Sequence, residues 1–191
     1  MSARIVPFLA AVVEKDSGGI DDLLSGFALS LRSRGRWVRG LVQTTASTPS
    51  GNTYIAVVDL DTGSQFPVGQ SLFDCLPHNN RNCMPEAVDV LKRIVCDGAD
   101  LVLINRFSDE EAAGRGFMAE MLLLANEEVP LLTVVPERYL TAWQTFAGGA
   151  AVILQPNLQS LYGWIFQAWG IAPFAYPAAS LEYPSLAKAP Y

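Results

Sequence analysis

The stretch that decides the fold is Ile5-Val6-Pro7-Phe8-Leu9-Ala10-Ala11-Val12-Val13, followed by Glu14-Lys15-Asp16-Ser17-Gly18-Gly19 and an amphipathic segment opening at Ile20. An apolar run, a glycine-bearing turn and a helix make the arrangement in which backbone N–H groups and a helix N-terminus receive an anion. The G-K-[ST] ending that binds nucleotide phosphates and magnesium is missing, however. Ile20 stands where the lysine belongs and Asp21 where the Ser/Thr belongs. Isoleucine supplies no charge, and an aspartate repels phosphate oxygens. The layout is that of a nucleotide hydrolase, while its residues argue against hydrolysis.

Outward from this unit, strand-like and helix-like segments alternate. Ile20, Leu23, Leu24, Phe27 and Leu31 recur at helical spacing, with Gly35 beyond the helix end. Residues 37–42 read as a strand, and the Ser/Thr/Gly-rich residues 44–52 as an exposed loop. Residues 54–60 and 65–68 flank Asp61-Thr62-Gly63 as a β-hairpin. Residues 69–84 hold turn chemistry of the kind found in binding loops. A helix follows from near Pro85, with Ala87, Val88, Leu91, Ile94 and Val95 inward, and then the apolar strand 101–104, suited to the centre of a parallel sheet. Further expectations are a helix over 109–126, a strand over 131–135, a short helix over 137–146, a strand over 150–154 and an aromatic helix over 158–169. Gly114 and Gly116, each costing roughly 1 kcal/mol in a helix, mark a kink or a mobile rim segment. The pattern implies an α/β fold: a three-layer sandwich around a mainly parallel sheet, with a degenerate P-loop. Residues 1–171 form the expected domain, and 172–191 a Pro/Ala/Tyr-rich tail.

Half of the residues are hydrophobic, enough for a substantial core. A net charge of −6 argues against nonspecific nucleic-acid binding, which needs a basic face. The one basic cluster, Arg32, Arg34, Arg36 and Arg39, straddles an expected helix end, where cations meet the helix dipole favourably. Apolar runs are strand-length, short of the roughly 20 residues of a membrane-spanning helix. The first run ends in Glu14-Lys15-Asp16 without a small-residue cleavage pattern, so the expected location is the cytoplasm and no membrane insertion is expected. Cys75, His78 and Cys83 share one segment but lack a fourth ligand for structural zinc; reduced thiols are the alternative.

In open α/β sheets ligands bind beyond the carboxyl ends of the strands. That places the turns after Val13, Gln43, Ile104 and Val135 on one rim. The turn after residue 104 reads Asn105-Arg106-Phe107-Ser108-Asp109-Glu110-Glu111. A magnesium-binding aspartate ends the corresponding strand of P-loop hydrolases; here Asn105 stands there, followed by a cation. Lys15, Ser17, Gly18, Gly19, Asn105, Arg106, Ser108 and Arg138 are the candidate ligand-binding residues, and no catalytic residue or metal ligand is assigned. Each has a plainer reading as well. Gly18 and Gly19 allow the turn, and Asp21 and Asp22 suit a helix first turn. Ser108 with Glu111 fits a capping box, and Arg106 can pair with Glu110 or Glu111. Arg138 fits a solvated helix position, and Trp143 with Phe146 fits the core or a base-stacking surface.

These segments resemble an uncharacterised bacterial family encoded near molybdate-transport genes, often labelled a molybdenum ABC-transporter ATP-binding protein and similar in layout to small P-loop nucleoside triphosphatases. The matching segments are 9–24, 36–43, 58–67, 82–84, 98–117 and 135–149, within residues 5–155. Two positions depart from that family: it commonly has lysine where Arg106 stands and glycine where Ser108 stands. The resemblance implies molybdate or tungstate as ligand. A doubly negative oxyanion wants backbone N–H groups, hydroxyls and one or two Arg or Lys residues. The expected function is a non-hydrolysing domain that binds such an oxyanion or a nucleotide; no cofactor can be named. The alternatives are an interaction module, homo-oligomeric through the 158–169 helix and the tail, and a residual nucleoside triphosphatase using Lys15.

Overall fold

The computed structural model describes residues 8–15, 19–47, 51, 53–68 and 85–171. The opening apolar run forms β1 (Leu9–Glu14) and the segment after the turn forms α1 (Ile20–Arg32). Gly19 is the N-cap of α1 with φ 78°, a left-handed conformation that costs glycine nothing. The remaining elements are β2 (Val38–Ser47), β3 (Thr53–Asp59), β4 (Gln65–Val68), α2 (Pro85–Asp97), β5 (Leu101–Ile104), α3 (Asp109–Ala112), α4 (Met118–Asn126), β6 (Leu131–Pro136), α5 (Leu140–Phe146), β7 (Ala151–Leu154) and α6 (Leu158–Ala168). One 3-10 turn, Glu137–Tyr139, joins β6 to α5.

The strands make one seven-stranded sheet in the order β4-β3-β2-β5-β6-β1-β7. Its pairings are parallel from β2 through β5, β6 and β1 to β7, and β3 runs antiparallel to β2 and β4. Helices cover both faces, so the strands are apolar on both. Ala10, Val12, Leu101, Leu103, Leu132 and Val134 face the layer holding α1 and α6. Leu9, Ala11, Val102, Ile104, Leu131 and Val135 face the layer of α2, α4 and α5. On α1, Leu24, Phe27 and Leu31 are fully buried, each contributing about 1.5–3 kcal/mol. The expected three-layer α/β sandwich is the observed architecture.

Four expectations are corrected. β2 continues through Thr44, Thr45 and Ala46 to Ser47, paired with β3 as far as Ser47–Thr53, where an exposed loop was expected. All but Ala46 are polar because this end of the hairpin is partly or fully exposed, and Thr is a good strand former. The rim therefore has no turn at Gln43. The helix expected over 109–126 is two helices, broken where Gly114 and Gly116 take φ of 76° and 57°. On α2 Val90 joins Ala87, Leu91 and Ile94 as a buried residue that the sequence reading left out, while Val88 and Val95 pack against the same core partly covered. Arg39 is not at a helix end but buried on β2, bonded to Asp61 at 2.5 Å, to the Gly98 carbonyl at 3.2 Å and to Asp97 at 3.4 Å.

Among the described residues no helix is long and apolar enough to cross a membrane. Residues 1–7 and 172–191, the hydrophobic start and the tail, lie outside the description, as do Cys75, His78 and Cys83.

Candidate functional site

The register sets β1, β5, β6 and β7 side by side with their carboxyl ends on one rim: Glu14 lies opposite Pro136, Ile104 opposite Thr133 and Val12 opposite Leu154. Lys15, Asn105, Glu137 and Gln155 therefore leave the sheet at the same edge. Ser17 and Gly18 lie outside the described residues; Gly19 and Lys15 bracket them.

Two groups of side chains occupy this rim. The first centres on Arg106, just past β5. Its guanidinium reaches across the end of β6, with Nη1 against Glu14 Oε2 of β1 and Nη2 donating to both carboxylate oxygens of Asp21 at 2.9 and 3.0 Å. Asn105 Nδ2 donates to the same Asp21 Oδ1 at 2.7 Å. Asn105 is buried, and its Oδ1 has no hydrogen-bond partner. Charge-assisted bonds of this kind are stronger than neutral ones, and the planar fork suits a carboxylate. Arg106 is thus paired with Glu14 and Asp21, not with Glu110 or Glu111 as the local sequence suggests. The two carboxylates exceed the one cation, so the cluster carries a formal charge of −1.

Beside it, Glu111 bridges α3 to the start of α4. Its Oε2 accepts from the Ser108 N–H at 2.9 Å and from the Ser108 hydroxyl at 2.5 Å; its Oε1 accepts from the Phe117 N–H at 3.0 Å. Ser108 thereby spends its hydroxyl on the helix start. Glu110 pairs with Arg115 instead, and that hydrogen bond holds the Glu110 carboxyl below its ordinary value. Trp143 is fully buried against Phe107 and Phe146, at ring distances of 5.5 and 5.3 Å, and is core.

The second group surrounds a groove of about 660 Å³ on the other side of the α1 N-terminus. Its mouth carries Lys15, Gly19, Glu137 and Gln155, and its apolar wall includes Leu140 and Ile153. Lys15 is exposed and 3.9 Å from Glu137 Oε1, a loose pair that leaves the ammonium available to a ligand. Arg138, also exposed, lies over the Tyr139 ring at 4.8 Å. Hydrogen bonding with Tyr139, then the charges of Asp109 and Glu14, hold its guanidinium above the ordinary value. The candidate residues are therefore divided: Asn105 and Arg106 lie in the ion-pair cluster, Ser108 caps α3, Lys15 and Gly19 line the groove, and Arg138 stands on the exposed turn. Asp21 and Glu14, which bind Arg106, escaped sequence reasoning as partners because each lies more than 80 residues away from it in the chain. Among the described residues, no group of three or more His, Cys, Asp or Glu could hold a metal ion.

With the geometry established, known proteins supply context. A solution structure of a human cancer-related nucleoside triphosphatase superposes with a TM-score of 0.47 and 17% identity, covering 67% of this chain and 75% of that one. The molybdenum import ATP-binding protein ModC 2 of Bradyrhizobium diazoefficiens is 30% identical over 161 residues, 82% of this chain. The chain spans only 18% of that relative's length. A match that runs from the first residue of β1 into α6, residues 9–164, places the chain in the family described as "Protein of unknown function (DUF2478)".

Proposed function

We propose that this is a P-loop-like binding domain that holds a nucleotide at the carboxyl rim of its sheet without hydrolysing it. The observation that carries the reading is the groove: its volume falls within the range of small-molecule sites, and a polar mouth, where the exposed Lys15 ammonium stands loosely paired with Glu137, opens onto an apolar wall. A nucleotide matches both parts, phosphate at Lys15 and the α1 N-terminus, base along the wall. Ser17 and Gly18 remain sequence candidates for the phosphate side, outside the described residues. The ATP-binding name of the ModC 2 relative supports it. The absence of hydrolysis rests on Ile20, Asp21 and Asn105, which replace the lysine, hydroxyl and carboxylate that P-loop chemistry uses. The second reading, a tetrahedral oxyanion such as molybdate or tungstate, is favoured by the molybdenum name of the same relative but leaves the apolar wall without a role.

Isothermal calorimetry and thermal unfolding of pure protein with ATP, GTP, molybdate, tungstate, sulfate and phosphate test the reading. Nucleotides are expected to raise the melting temperature, and Lys15→Ala to weaken them, with no release of phosphate. A response to molybdate or tungstate alone would move the site to the oxyanion reading. Phosphate release that persists in pure protein would sink the non-hydrolysing half, and silence toward every ligand would favour an interaction module.

A further inference from the structure

P-loop chemistry implies a divalent metal beside the phosphates, and the residues here do not fit one. A magnesium ion takes oxygen ligands at about 2.0–2.1 Å and needs open positions for phosphate oxygens. The carboxylates of Glu14 and Asp21, which converge at the ends of β1 and α1, are spent on the Arg106 guanidinium. Asn105 turns its N–H group toward Asp21, so that position offers a donor where a metal requires an acceptor. Its amide oxygen is left buried with no donor. An ammonium or guanidinium repels a second cation, and this one is ion-paired with Glu14 through Nη1 and bonded to Asp21 through Nη2.

We propose that Arg106 is a resident cation standing in for the divalent metal, and that the rim therefore takes its nucleotide in metal-free form. The inference rests on the nucleotide reading for its ligand but not for its site. Removing the guanidinium exposes two carboxylates, and the Asn105 oxygen becomes a third ligand once its amide rotates. The variant Arg106→Met therefore gains a divalent-cation site that the wild type lacks. Arg106→Lys, which keeps the charge, does not.

Two measurements on the full chain decide this. Calorimetric titration of the wild type with ATP should give an affinity about tenfold or more weaker in excess Mg2+, which draws ATP into its metal complex, than in EDTA. Affinity with Mg2+ equal to or higher than that in EDTA overturns the inference while leaving the nucleotide reading intact. Thermal unfolding with millimolar Mn2+ alone should raise the melting temperature of Arg106→Met by about 3 °C or more and leave wild type and Arg106→Lys unmoved. A wild type that already responds, or a folded Arg106→Met that does not, overturns it. Absence of nucleotide binding in every condition sinks the function proposed above, and the Mn2+ arm then decides the resident cation by itself. Failure of Arg106→Met to fold leaves the decision to the wild-type titration.

Discussion

Arg106 holds two acidic side chains from different elements on one guanidinium, which makes it the most consequential single residue of the rim. Its side chain is 16% exposed, so its removal strands two partly desolvated carboxylates. Arg106→Ala should cost about 2–3 kcal/mol in urea unfolding, and Arg106→Lys less, because a point charge recovers part of the attraction. The Glu110–Arg115 pair gives a second test. The folded pKa of Glu110 is lowered by the hydrogen bond from Arg115. Its contribution is therefore complete above the ordinary carboxylate range and is lost as pH falls through the lowered value. In an NMR titration Glu110 should titrate below 4.5, and Arg115→Ala should return it toward that value. At this scale the sequence was partly readable. Ser108 and Glu111 sit three apart, and their capping relation is local. The partners of Arg106 lie beyond reach of any local rule, because only the sheet order brings β1 and α1 to the end of β5.

At the scale of elements, the break between α3 and α4 is held by Glu111. A Cβ at Gly116 would collide with Glu111 Oε1, and its φ of 57° disfavours any other residue. Gly116→Ala should cost about 2 kcal/mol, and Glu111→Ala at least as much by leaving the Ser108 and Phe117 N–H groups without their acceptor. Equilibrium unfolding of both variants checks this; a change below about 0.5 kcal/mol in each would refute the bridging role. Glycine spacing announced the kink. It could not announce two helices, because the break is fixed by the Glu111 carboxylate accepting from the Phe117 N–H six residues on, a spacing that helix periodicity does not signal. The length of β2 was hidden for a different reason: Gln43 to Ser47 are polar but for Ala46, and their strand character comes from pairing with β3, which composition alone does not encode.

Over the whole molecule, the antiparallel hairpin of β3 and β4 joins the parallel sheet through β2, and β2 joins the rest through β5. Gly40 lies on that seam with φ 119°, and a Cβ there would overlap the backbone carbonyl of Leu103. Gly40→Ala should lower stability by more than about 3 kcal/mol, read as a collapse of the melting temperature with all probes moving together. The alternation of apolar strands and amphipathic helices made the layered class legible; strand order was not, since it depends on which crossover each helix makes. At the far edge, β7 is held by β1 on one flank, and Ile153 remains 41% exposed. That same strand supplies a wall of the groove. Pocket and open margin are therefore one object. A molecule settling there acts as the missing neighbour of a half-clamped strand, and its arrival should register first as slowed amide exchange along residues 151–154.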